Sequence, residues 1–199
     1  MGVFLNLNGV YCMKNYRDSR GQLRKFGCRL VEISPETMSL IVPVQGRVGE
    51  EVETDLEEFG ALVGKISKKV REGFVVDIAA TDEERRALTK KIVWQQEFRA
   101  RKVEDKRKYP RIVPKKPISI LILLDGTWHN SLVIDVSAAG VAVSSEIMPD
   151  IGTPLAVGRV VGKVARHLPA GFAVEFAEIH DLASIERAIN YVPRQLLNR

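Results

Sequence analysis

Short apolar runs that alternate with polar residues, bounded by Gly, Pro and Asp, dominate this chain. Ile118-Ser119-Ile120-Leu121-Ile122-Leu123-Leu124 ends at Asp125-Gly126, a hairpin signal; Ser131 to Val136, Gly140 to Ser144, Leu155 to Ala165 and Gly171 to Phe176 follow as strands. Short antiparallel strands at this spacing predict a small barrel, which hides its sheet edges by closing on itself. Two stretches change period. Thr81-Asp82-Glu83-Glu84 is a capping signal that opens a helix running to about Lys102, and Asp181 to Ile189 repeats the arrangement before Pro193.

The pattern occurs twice. Leu30-Val31-Glu32-Ile33-Ser34 falls on Val133-Ile134-Asp135-Val136-Ser137, and Val48-Gly49 on Ile151-Gly152 at the same offset. After a five-residue shift, Gly60 to Ile66 falls on Gly158 to Val164, and Gly73-Phe74-Val75-Val76 on Gly171-Phe172-Ala173-Val174. Each copy ends in its helix. The expected fold class is therefore mainly β: two tandem small antiparallel barrels, each followed by an α-helix, spanning residues 1–103 and 104–199.

Composition adds a sign of charge but no chemistry. A net charge of +5 and a pI of about 9.3 favour an anionic partner, with nucleic acid, nucleotide and membrane surface equally compatible. Cys12 and Cys28 form no CxxC or Cys/His cluster and read as reduced thiols. The start lacks a basic, apolar leader, and no run of about 18 apolar residues exists, so the expectation is a soluble cytoplasmic protein without a membrane span. No Ser/His/Asp, Cys/His or paired-carboxylate set is persuasive, and His129, His167 and His180 lack metal spacing. The expectation is a non-enzyme with no metal and no cofactor. Gly158-x-x-x-Gly162-Lys163 is not a phosphate loop, because it lies in strand-like sequence where Gly marks a bend. Trp94, Phe98 and Trp128 read as core or interdomain packing.

Charge is concentrated at the junction of the copies. Between Arg99 and Lys116 stand nine basic residues and two acids, interrupted by Pro110 and Pro114, which favour an extended segment. Within it lies Arg107-Lys108-Tyr109-Pro110-Arg111, followed by Asp135-Val136-Ser137-Ala138-Ala139-Gly140. An arginine fork can donate paired hydrogen bonds to guanine O6 and N7 or to phosphate, and its plane can stack on a purine. A carboxylate can accept from guanine N1–H and N2–H, which adenine does not offer. Ser137 can bond a phosphate or base edge, and Gly140 leaves the backbone open to approach, although the same three residues also make an ordinary turn in which Gly takes a positive φ.

Together these clusters resemble the RxxxR and [D/N]xSxxG signature of PilZ domains, bacterial receptors for cyclic di-GMP. The resemblance covers about Lys106 to Pro193 and implies a cyclic di-GMP site built from Lys106, Arg107, Arg111, Asp135, Ser137 and Gly140, with the arginines on an arm that folds over the ligand. A basic residue at Lys106 accompanies an intercalated ligand dimer in that family, which implies two ligands per domain. Arg166 and His167, on the later hairpin, could also face the ligand, although exposed turn residues are the favoured reading. Motility, exopolysaccharide and biofilm control are the processes the resemblance implies, through a downstream protein partner.

The first copy resembles a degenerate PilZ-like domain. It carries Glu32 and Thr37 where the second has Asp135 and Gly140, and its own RxxxR, Arg20 to Arg24, lies only eight residues before Glu32. It is expected not to bind through this signature. Two other functions fit the composition: a nucleic-acid-binding barrel, opposed by the lack of aromatics interleaved with basic residues, and a structural adaptor that has lost its ligand.

Overall fold

A computed structural model describes residues 2–98 and 109–191. The chain divides into two compact units, Met1–Glu104 and Asp105–Arg199. The first contains β1 (Val3–Arg17), β2 (Leu23–Ile33), β3 (Thr37–Ile41), β4 (Glu51–Leu56), β5 (Gly60–Val70), β6 (Gly73–Ile78) and α1 (Asp82–Phe98). The second contains β7 (Ile118–Leu123), β8 (Trp128–Ser137), β9 (Gly140–Ser145), β10 (Pro154–Val157), β11 (Val160–Leu168), β12 (Gly171–Phe176) and α2 (Leu182–Ile189).

Both sheets close into antiparallel barrels of one topology, β1-β2-β3-β6-β5-β4 and β7-β8-β9-β12-β11-β10. The copies agree residue by residue in register. Leu30 faces Leu40 and Glu32 faces Ser39 across a bulge at Val31; Val133 faces Val143 and Asp135 faces Ala142 across a bulge at Ile134. Likewise Ile66–Val76 and Lys68–Val75 flank a bulge at Ser67, matching Val164–Val174 and Arg166–Ala173 around Ala165. The duplication in the sequence is thus a duplication of fold that extends to these two bulges.

Each barrel buries the inward residues of its alternating strands. In the first, the rings of Tyr11 and Phe26 lie 5.5 Å apart and those of Tyr11 and Phe74 5.8 Å apart, amid Leu30, Leu40, Ile66 and Val76. The Tyr11 hydroxyl donates to the Val44 carbonyl at 2.6 Å, which satisfies the one polar atom of a ring that burial would otherwise penalise. Cys28 is buried in this core, and burial pushes its thiol well up, the behaviour of packing filler rather than a reactive thiol. In the second barrel Leu121, Val133, Val136, Val143, Val164, Phe172 and Val174 play the same part.

The helices close the barrels by local chemistry. Thr81 N donates to Glu84 Oε2 at 2.7 Å while Glu84 N donates to Thr81 Oγ1 at 3.3 Å, the reciprocal capping predicted for α1. Leu88, Ile92 and Gln95, spaced by one helical turn, form its buried stripe, and Lys91 Nζ reaches the Phe59 carbonyl at 3.0 Å. That stripe is narrow. Trp94 falls off it and is 54% exposed, and Trp128 is 37% exposed, so neither is a core residue as expected; the side chain of Phe98 is outside the described residues. Residues 99–102, to which the helix was expected to run, are likewise outside them.

Helix α2 is capped by Asp181, whose carboxylate accepts from Ser184 N at 3.1 Å, and it buries Ile185 and Ile189. It ends at Asn190, ahead of Pro193. The run Leu155 to Ala165 is not one strand. Gly158 takes φ +59° and Arg159 N donates to the Ala188 carbonyl at 3.0 Å, so β10 and β11 turn back on each other beneath the end of α2. A Cβ at Gly158 would collide with the Ala188 and Ile189 carbonyls, so that turn requires glycine.

Candidate ligand-binding site

Arg111 is positioned by backbone pairing. Ile112 and Val136 exchange N–H···O bonds of 2.8 and 2.9 Å, forming a short antiparallel bridge alongside β8. This sets the preceding residue beside Asp135, and Arg111 Nη1 donates to Asp135 Oδ2 at 3.1 Å. Both side chains are part-exposed, at 36% and 24%, so the pair is worth no more than about 1 kcal/mol and exchanges readily for other partners. Further along the same segment, Lys115 N donates to Glu186 Oε1 of α2 at 2.7 Å. Lys106 and Arg107 lie outside the described residues.

Ser137 ends β8, and its hydroxyl donates to the Gly140 carbonyl at 3.2 Å, tightening the turn into β9 while leaving oxygen lone pairs free to accept. Gly140 is not among the positive-φ residues, so the turn does not demand glycine for φ. The neighbouring strand demands it: a Cβ there would stand 2.6 Å from the Val174 carbonyl of β12.

Asp135, Ser137 and Gly140 share with Arg111 a cleft of about 340 Å³ on the outer face of the second barrel. Its floor is made of Ala142 and Ala173, and Arg166 and Glu175 stand on its far side. The alanines were not singled out from the sequence. Their signal was small residues at outward positions of Gly140-Val-Ala-Val and Gly171-Phe-Ala-Val, readable only once the strands are aligned. Arg166 reaches the cleft, whereas His167 turns away and bonds the Pro149 carbonyl at 2.8 Å. His129 pairs with Glu146 at 2.9 Å. Among the described residues no group of three His, Cys, Asp or Glu can hold a metal, and no helix is long and apolar enough to cross a membrane.

The first barrel offers the same surface with different contents. Val3 faces Ile33 as Ile112 faces Val136, so Gly2 stands where Arg111 does, with the Glu32 carboxylate resting against its backbone. Ser34 Oγ accepts from Thr37 N at 2.9 Å and Glu36 N at 3.2 Å, committing the serine to its own turn. Arg24 sits on the same strand as Glu32 and lies over the Phe26 ring at 4.9 Å. Eight residues of extended strand separate Arg24 from Glu32 by roughly 27 Å, so this arginine pair cannot serve that acid.

Solved structures that resemble the chain include PlzA of Borreliella burgdorferi in complex with c-di-GMP (12% identity, 94% of this chain and 91% of that one, TM-score 0.31). They also include MotI/DgrA, an inhibitor of motility from Bacillus subtilis (15%, 99% and 99%, TM-score 0.30), and Escherichia coli YcgR in complex with c-di-GMP (10%, 92% and 80%, TM-score 0.27). No curated protein matches the chain. The family model described as "PilZ domain" matches residues 105–192, the span that carries Arg107, Arg111 and the Asp-Ser-Gly turn, so the second barrel of this chain is similar to that family.

Proposed function

We propose that the chain is a non-enzymatic receptor for cyclic di-GMP that acts in the cytoplasm, with residues 104–199 as the receptor domain and residues 1–103 as a degenerate partner domain. The observation that carries this reading is the convergence of Arg111, Asp135, Ser137 and Gly140 on one open cleft of a PilZ domain. Asp135 can accept from guanine N1–H and N2–H. Arg111, held by an ion pair of little strength, can move to a guanine edge or a phosphate oxygen without losing much. Lys106 and Arg107 complete the cation set from the segment that leads into Arg111. Two intercalated ligands per domain is the proposed stoichiometry.

Ligand binding pins the segment around residues 104–116 to the second barrel, and the arrangement of the two units changes with it. A downstream protein reads that change and regulates motility, exopolysaccharide or biofilm formation. Calorimetric titration with cyclic di-GMP tests the receptor reading. Wild type binds, and Arg107→Ala and Asp135→Ala each weaken binding at least tenfold, as the loss of a charge-assisted hydrogen bond of about 1.5–3 kcal/mol demands. Unchanged affinity in both variants overturns it. Steep, salt-dependent oligonucleotide binding indifferent to cyclic di-GMP would instead identify a nucleic-acid barrel.

A further inference from the structure

The ladder of the second barrel aligns four residues in one row across adjacent strands. Asp135 of β8 faces Ala142 of β9, Ala142 faces Ala173 of β12, and Ala173 faces Arg166 of β11. Facing residues of a ladder point to the same side of a sheet, and all four line the cleft. Three strand spacings separate the ends by roughly 14 Å. The row therefore reads acid, methyl, methyl, cation, with Arg111 docked on the acid.

We infer that the ligand lies along this row: a purine plane rests on the methyls of Ala142 and Ala173, and Arg166 is a binding residue that engages the end of the ligand remote from Arg111. The inference rests on the cyclic di-GMP reading and assigns its contacts at the far side of the cleft. Two facts support it. Arg166 makes no side-chain hydrogen bond or ion pair among the described residues, so its guanidinium is available to an anion or a base plane. Glu175, the acid beside it in the cleft, is drawn towards Lys163, 3.6 Å away.

The first barrel supplies the comparison. Its equivalent row is Glu32, Ser39, Val75 and Lys68, in the same register. The charged ends persist there, but Val75 raises the floor where Ala173 leaves it low. A valine is thus compatible with the fold at that place and incompatible with a ring lying flat across it. Floor height, beyond the charged signature, separates a binding copy from a non-binding one.

The test is calorimetry with cyclic di-GMP on the full chain carrying Arg166→Ala, Arg166→Lys or Ala173→Val, beside wild type and Asp135→Ala, with melting curves for each. The row requires Arg166→Ala and Ala173→Val each to weaken binding about tenfold at unchanged melting temperature, with Arg166→Lys recovering part of the loss. Asp135→Ala abolishing binding while Arg166→Ala binds as wild type overturns the row and leaves the receptor reading standing. No binding by wild type overturns both. Arg166 is exposed, so its variants decide the matter even if Ala173→Val unfolds the barrel.

Discussion

Gly2 and Arg111 stand at the same position of the same fold, each preceding a residue that bridges the end of the second strand of its barrel. In one copy the position presents a guanidinium to a carboxylate; in the other it presents bare backbone to a carboxylate. Duplication preserved the scaffold, and this position is one of those at which the chemistry of the copies differs.

We predict that the first barrel does not bind cyclic di-GMP through this signature. Glu32→Ala should leave both affinity and stoichiometry at wild-type values in a calorimetric titration, within about twofold, whereas Asp135→Ala removes the heat of binding. A stoichiometry that falls in Glu32→Ala would show the first barrel to be a second receptor.

Gly140 makes a different prediction from its neighbours in the motif. Because a Cβ there would press on the backbone carbonyl of Val174 at 2.6 Å, Gly140→Ala should act on stability before it acts on affinity. Overpacking of this kind costs about 1–3 kcal/mol, enough to lower the melting temperature of the second barrel by about 5 °C or more. Ligand-free calorimetric melting decides. An unchanged transition would mean that the strand relaxes and that the glycine serves the ligand alone.

The cap of α1 is a pH-sensitive element of the first unit. Hydrogen bonds from Thr81, backbone first and hydroxyl second, hold the Glu84 carboxyl below its usual range. The cap therefore contributes fully above the unfolded glutamate value of about 4.3 and is lost as pH falls through the lower folded value. Thr81→Ala should destabilise the first unit by about 1 kcal/mol at pH 7. Its melting difference from wild type should narrow as the pH is brought to about 3. A difference that stays constant with pH would show that the Thr81 hydroxyl takes no part in holding the Glu84 carboxylate.

Local signals in this sequence were legible because their physics is local. The Thr81–Glu84 box, the Asp125-Gly126 turn and the alternation of β7, β9 and β12 each depend on a few consecutive residues. The duplication was legible because two copies of one ladder impose one pattern twice. What escaped depended on distant partners. The hairpin inside Leu155 to Ala165 turns at Gly158 because the end of α2 crowds it, a constraint set some thirty residues later in the chain. Trp94 read as core or interdomain packing, and the core alternative fell only when the stripe of Leu88, Ile92 and Gln95 fixed which side of α1 is buried. Asp135 and Arg166 became ends of one row only through three strand pairings, and the bulges at Ile134 and Ala165 defeat any count along the sequence.

Those bulges lie at the two ends of the row, one beneath the acid and one beneath the cation, and both recur in the copy that lacks the signature. A bulge bends its strand and sharpens its twist, so each charged end of the row sits where its strand departs from the regular ladder. The local shape of the cleft is thus recorded in part as two single-residue insertions. An alanine scan of the charged residues would measure the ends of the row and never detect what sets their place in the ladder; deletion of Ile134 or Ala165 would.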